Sequence, residues 1–130
     1  EHDCFSDNTH ASHFYNGKGI RNVYLGEYQR SNGETLTGPS LSDLVAANQP
    51  AADSQLKTDL NASEAALQVL VDSANQGTHF DQLIAPGNVQ GADTVNAAID
   101  ALVVQTTSIE KAARVLNIQA LNPDTANHSF

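Results

Sequence analysis

Apolar residues recur along this chain mainly at helical spacing. Between Pro50 and Asn75 they fall at Leu56, Leu60, Leu67, Leu70, Val71 and Ala74. That spacing traces one face of an α-helix, and Gly77 is placed to end it. A second stripe runs through Val95, Ala98, Ile99, Leu102, Ile109, Ala112, Ala113 and Leu116. It predicts a helix from about Gln90 to Leu116. Phe14, Ile20, Val23, Tyr24 and Leu25 are partly in phase and predict a helix over His10 to Gln29. Gly17, Gly19 and Gly26 weaken that segment locally, although small residues also admit a neighbouring backbone.

Turn chemistry divides these stretches. Residues 30–39, RSNGETLTGP, carry Asn32-Gly33 and Gly38-Pro39 and predict a loop with room for a short β-hairpin. Ser40 to Asp43 has the form of a capping box and opens a short helix over 40–48, with Leu41, Leu44 and Val45 on one face. Pro50 suits a first helical turn. Phe80 to Ile84 packs as a short segment before the breaker Pro86-Gly87. The fold class expected is all-α: an antiparallel helical bundle of three long helices plus one or two short ones. It forms one domain over residues 1–118. A weakly ordered polar tail with Pro123 follows over residues 119–130.

Composition narrows the function classes. A chain of 130 residues can bury a core without disulfide or metal staples. Here that core is Ala, Leu, Val and Ile, because Trp and Met are absent. The formal charge is −9, and the six cations are scattered at Lys18, Arg21, Arg30, Lys57, Lys111 and Arg114. Nucleic-acid binding needs clustered cations that release counterions, so nucleic acid is excluded as a partner, and an anionic membrane surface is disfavoured. No apolar run is long enough to span a bilayer. The chain starts at Glu1 rather than Met, which leads to the expectation of a processed product or fragment. Cys4 is the single cysteine, so no disulfide forms within the chain.

Titratable residues gather at the start: His2, Asp3, Cys4, Asp7, His10 and His13. Were this segment helical, Asp3, Asp7 and His10 would share one face at i, i+4 and i+7. With His2 they form the candidate metal set. Carboxylate and imidazole donors suit iron, manganese or zinc. The competing explanation is an N-terminal cap on a solvated polar face, with Asp7 or Asn8 capping a helix that enters at Thr9. Other chemistries fail on inventory. There is no H-E-x-x-H helix, no C-x-x-C-H haem attachment and no nucleophile elbow. No catalytic residue is therefore assigned.

Four stretches, taken together, resemble one family. They are FSDNTH (Phe5 to His10), GIRNVYLGEY (Gly19 to Tyr28), GPSLSDLVAANQPAADSQLKTDL (Gly38 to Leu60) and FDQLIA (Phe80 to Ala85). Their order and spacing are similar to the C-terminal half of the imelysin family, over roughly residues 1 to 118. That family is also called the insulin-cleaving metalloproteinase or iron-regulated protein A group. The resemblance implies a periplasmic or extracellular protein, its signal peptide removed, linked to iron uptake or to metal and ligand binding, with iron or zinc as candidate cofactor. It also implies a site between two halves, so this chain supplies one wall.

The partner implied is the N-terminal imelysin half, as a cleaved or separate chain, or else a second copy in a self-assembling subunit. The family hallmark G-x-H-x-x-E is absent here. Gly77, His79 and Gln82 spell G-x-H-x-x-Q, a near match read as coincidence because Gln offers no carboxylate. A part in an M75-type metallopeptidase is the enzymatic alternative. Asn8 and Thr9 would orient a ligand through hydrogen bonds, their other role being helix capping. Arg21 joins them as a ligand-binding candidate, or else pairs with a carboxylate across the bundle.

Overall fold

In the computed structural model, Asp3 and residues 5–119 are described. The element order is α1 (Thr9–Leu25), β1 (Glu27–Gln29), β2 (Thr35–Thr37), α2 (Leu41–Asn48), α3 (Pro50–Asn75), α4 (Phe80–Leu83) and α5 (Val89–Val115). The long helices α1, α3 and α5 form an antiparallel all-α bundle, as the apolar periodicity predicts. Gly17 midway along α1 lies against Leu67 late in α3, whereas Tyr24 at the end of α1 reaches Asp53 early in α3. The same reversal relates α3 to α5. No described helix is long and apolar enough to cross a membrane.

The first helix is shorter than its sequence predicts. It stops at Leu25 because Gly26 takes a left-handed conformation at φ 63° and donates its N–H to Asn22 O. A Cβ at Gly26 would meet Gly38 O at 2.8 Å, so both backbone angle and space require glycine. The chain then enters the hairpin, pairing Glu27 with Thr37 and Gln29 with Thr35. Sequence propensity extends the helix to Gln29. The glycine stop and the Asn32-Gly33 turn together favour strands instead.

Caps fix the other boundaries. Ser40 Oγ accepts from Asp43 N at 3.0 Å and Asp43 Oδ2 accepts from Ser40 N at 3.2 Å. That is the capping box expected from the sequence. Asn88 Oδ1 accepts from Gly91 N at 2.8 Å and starts α5. Gly77, at φ 89°, follows the end of α3.

The core has two apolar clusters. Phe14, Leu67, Leu70, Leu83 and Ala98 make one, at the end nearer the start of α1. Tyr24, Val45, Leu56, Leu60 and Ala112 make the other. Between them lies a buried polar layer. Ser63 Oγ donates to Gln105 Oε1, and Ser108 Oγ donates to Asp59 Oδ2. Gln55 Nε2 donates to Asp59 Oδ1 at 3.0 Å. The Ser63–Gln105 and Ser108–Asp59 pairs give the α3–α5 contact a fixed register, because a one-turn slide would strand each of these buried polar groups without its partner.

Some predicted apolar positions do not enter the core. Of the α2 face only Val45 is buried, while Leu41 and Leu44 are 43% and 55% exposed. On α1, Ile20 is 44% and Val23 72% exposed. The bundle has three long helices, so helical stripes wider than two contacts outrun the available neighbours.

Candidate functional site

The described residues before Thr9 are not helical, and this overturns the shared-face arrangement of Asp3, Asp7 and His10. Asp7 sits in a turn at φ 53°, an uncommon left-handed angle for a residue with a side chain. Asp3 organises this turn. Its carbonyl accepts from Ser6 N at 3.1 Å and from Asn8 N at 3.4 Å, and its N–H donates to Thr9 Oγ1 at 3.4 Å. Its Oδ2 accepts from Ser12 Oγ. Ser12 follows His10 by two positions, about 200° around the helix. The Ser12 bond thus draws the Asp3 carboxylate to a different side of α1 from His10.

Asp7 turns toward another partner. Its Oδ2 lies 2.9 Å from His79 Nδ1, just ahead of α4. The two atoms form a close pair without the alignment of a hydrogen bond, and His79 Nδ1 is buried with no hydrogen-bond partner. The His10 ring stands edge-on to His79, with centroids 6.0 Å apart, and His10 Nδ1 is likewise buried without a hydrogen-bond partner. One turn along, the His13 ring packs on Phe80 at 5.6 Å. The start of α4 is thereby seated on the start of α1. His79 N donates to Gln82 Oε1 at 2.9 Å, so Gln82 serves to cap α4.

Asp7 and His10, close in sequence, thus meet the distant His79 at one end of the bundle. Among the described residues, no three His, Cys, Asp or Glu side chains form a ready metal cage. His2 and Cys4 lie outside the described residues. The tail expected after residue 118 also lies outside them, apart from Gln119.

The family model for imelysin, peptidase M75, matches residues 1–109. The chain belongs to the imelysin family. No curated protein matches it. The match runs across the histidine end and most of the bundle, so both the fold and the polar turn fall within the imelysin region.

The remaining candidates separate. Asn8 stands before α1 without a side-chain capping bond and is exposed. Thr9 is fully buried and receives the Asp3 N–H. Arg21 lies eleven residues beyond His10, about 16 Å along the helix axis. Its Nε is 3.1 Å from Glu64 Oε2 and donates to Asn61 Oδ1 at 3.0 Å. Arg21 therefore makes the cross-bundle pairing weighed in the sequence. The structure does not bring it to the histidines. His79 is the residue that sequence reasoning missed. Its partner Asp7 is 72 positions away, and only the fold joins them.

A second polar centre lies at the opposite end of α1. Asp53, nearly buried, accepts from Tyr24 Oη at 2.9 Å, Ser42 Oγ at 2.7 Å and Lys57 Nζ at 2.8 Å. The Tyr24 hydroxyl is locked inside. Burial pushes the Asp53 carboxyl up. Hydrogen bonds from Lys57, Ser42 and Tyr24, with the Lys57 charge, outweigh burial and hold it below the usual carboxylate range. Burial, helped by Asp53, pushes the Tyr24 phenol well above its ordinary value.

Proposed function

We propose that this imelysin module binds a metal ion or metal-bearing ligand at its histidine end, as one wall of a site completed by another imelysin half. Iron acquisition outside the cytoplasm is the role it would serve. The observation that carries the reading is the meeting of His10 and His79 beside the Asp7 carboxylate: His79 Nδ1 lies 2.9 Å from Asp7 Oδ2, and the buried His10 Nδ1 has no hydrogen-bond partner. Buried polar atoms are ordinarily satisfied, so the His10 Nδ1 beside an imidazole–carboxylate pair is where a further ligand would bind. Neutral imidazole with carboxylate suits iron or zinc. Asp7, His10 and His79 form no ready cage and would have to draw together on the ion, and His2, from the N-terminal polar segment, is the further donor proposed. Two imidazoles and one carboxylate leave coordination positions open, which supports a shared site rather than a closed one.

The test is calorimetric titration of the metal-free protein with Zn2+, and with Fe2+ under anaerobic conditions. Binding should weaken at least tenfold in His10→Ala and in His79→Ala. No heat of binding for either metal, or unchanged affinity in both variants, would sink the reading. Self-assembly is a second reading. It is favoured by the exposed apolar residues Ile20 and Val23 on α1. A part in M75-type peptidase chemistry rests on the family alone.

A further inference from the structure

An apolar hollow lies away from the histidines, between α1 and the last turns of α5 over α2 and α3. It has a volume of about 610 Å3 and is walled by Ile20, Val23, Ile109 and Leu116 over a floor of Val45 and Leu56. No Asp, Glu, Lys, Arg or His lines it, in a chain whose formal charge is −9. The floor belongs to the packed core. The Tyr24 hydroxyl is turned to Asp53, so its ring shows the hollow an apolar edge. Gly19 keeps one wall open: a Cβ there would meet nothing within 4 Å. At Tyr15 and Asn16 this hollow adjoins a second one, which is polar and lined also by Asp3, Asn8 and Ser12. The charged group there is the Asp3 carboxylate.

We propose that the paired hollows bind a small amphiphile: an apolar chain in the groove, with a hydrogen-bond-donating head, neutral or cationic, toward Asp3 and Asn8. The charge-free walls select the apolar part. The acidic hollow at one end sets its direction and disfavours an anionic head. The volume lies within the roughly 300–1,000 Å3 of small-molecule sites. This inference is independent of the metal reading, since neither hollow is lined by His10 or His79.

The test uses N-phenyl-1-naphthylamine, an uncharged fluorescent probe, with the whole chain. Saturable one-to-one binding is expected. Decylamine and decanol should displace the probe, and decanoate should do so at least tenfold less well. Gly19→Leu, which fills the groove from an open helix position, should weaken probe binding at least tenfold with an unchanged helical circular dichroism spectrum. Val103→Leu, at an exposed position on α5 outside the groove, should leave binding as it was. Absence of saturable binding, full binding by Gly19→Leu, or equal competition by decanoate would each overturn the proposal. So would sedimentation showing a dimer that excludes the probe and that Gly19→Leu dissociates, because the occupant would then be a second copy.

Discussion

Tyr24 Oη donates to Asp53 Oδ1 at 2.9 Å, and this bond ties the last turn of α1 to the first turn of α3. Ser42 from α2 completes a three-helix junction at the same carboxylate. Tyr24→Phe keeps the ring but removes the donor, and Asp53 retains Ser42 and Lys57. The expected loss is about 1.5–3 kcal/mol, the range for hydrogen bonds to charged groups. Asp53→Ala should cost more, because it leaves the Tyr24 and Ser42 hydroxyls without their acceptor and empties their junction. Urea unfolding with equal slopes for all three proteins measures the order. A Tyr24→Phe variant less stable than Asp53→Ala would contradict it.

The same carboxylate sets an acid limit on stability. Its folded pKa lies below the ordinary value, so the folded state favours the ionised form. The stabilisation is complete above the unfolded pKa of about 3.9 and disappears as pH falls through the lower folded value. Tyr24 acts at the other extreme. Its raised pKa favours the neutral phenol, so its contribution is whole below pH of about 10 and declines above. Asp53→Asn should flatten the acid limb of a melting-temperature profile and Tyr24→Phe the alkaline limb. A profile in which neither variant changes its limb would refute the assignment.

The buried layer between α3 and α5 gives a further test. Asp59 accepts from Ser108 and Gln55, and Gln105 accepts from Ser63. Ser108→Ala removes one donor from a buried carboxylate and should cost about 1.5–3 kcal/mol. Thr106→Ala, whose hydroxyl bonds only its own helix at Leu102 O, serves as the comparison and should cost under about 1 kcal/mol. Equal costs would mean that the layer contributes no more than a half-buried hydroxyl bonded within its own helix.

The long helices were legible because their apolar positions repeat at one period, and the Ser40–Asp43 box marked α2 without ambiguity. Legibility fails where a contact between distant segments decides. Gly26 ends α1 because Gly38 and Ser40 crowd it from beyond the hairpin, and no window around Gly26 contains that fact. Asp53 reads as an ordinary first-turn acid, yet it is the centre of a junction. The candidate site shows the same limit. Asp7 and His10 stand out by type, but the reading of them as one helical face required a helix that the turn at Asp7 interrupts. His79 looked like an accident of motif spelling. Its role follows only from α4 folding back onto α1.

Two glycines in helices should respond oppositely to the same substitution. Gly19 lies on the open side of α1, where an added Cβ meets nothing within 4 Å. Gly19→Ala removes the entropic penalty of glycine in a helix and should stabilise by about 0.5–1 kcal/mol. Gly91, in the first turn of α5, is buried against α4. A Cβ there would collide with Leu83 O and stand 2.7 Å from both Leu83 Cα and Asn88 Nδ2. Two of these atoms are backbone and the third belongs to the cap, which donates to Gln82 O at 2.8 Å. Relief therefore requires α4 to move as a unit, and α4 carries His79 at its start. Gly91→Ala should lose about 1–3 kcal/mol through overpacking. It should also shift the ring resonances of His79 and His10, which Gly19→Ala leaves in place. Thermal melts paired with histidine NMR spectra distinguish the two outcomes. A Gly91→Ala protein as stable as the parent, with unmoved histidine signals, would show that α4 is not held by this close approach.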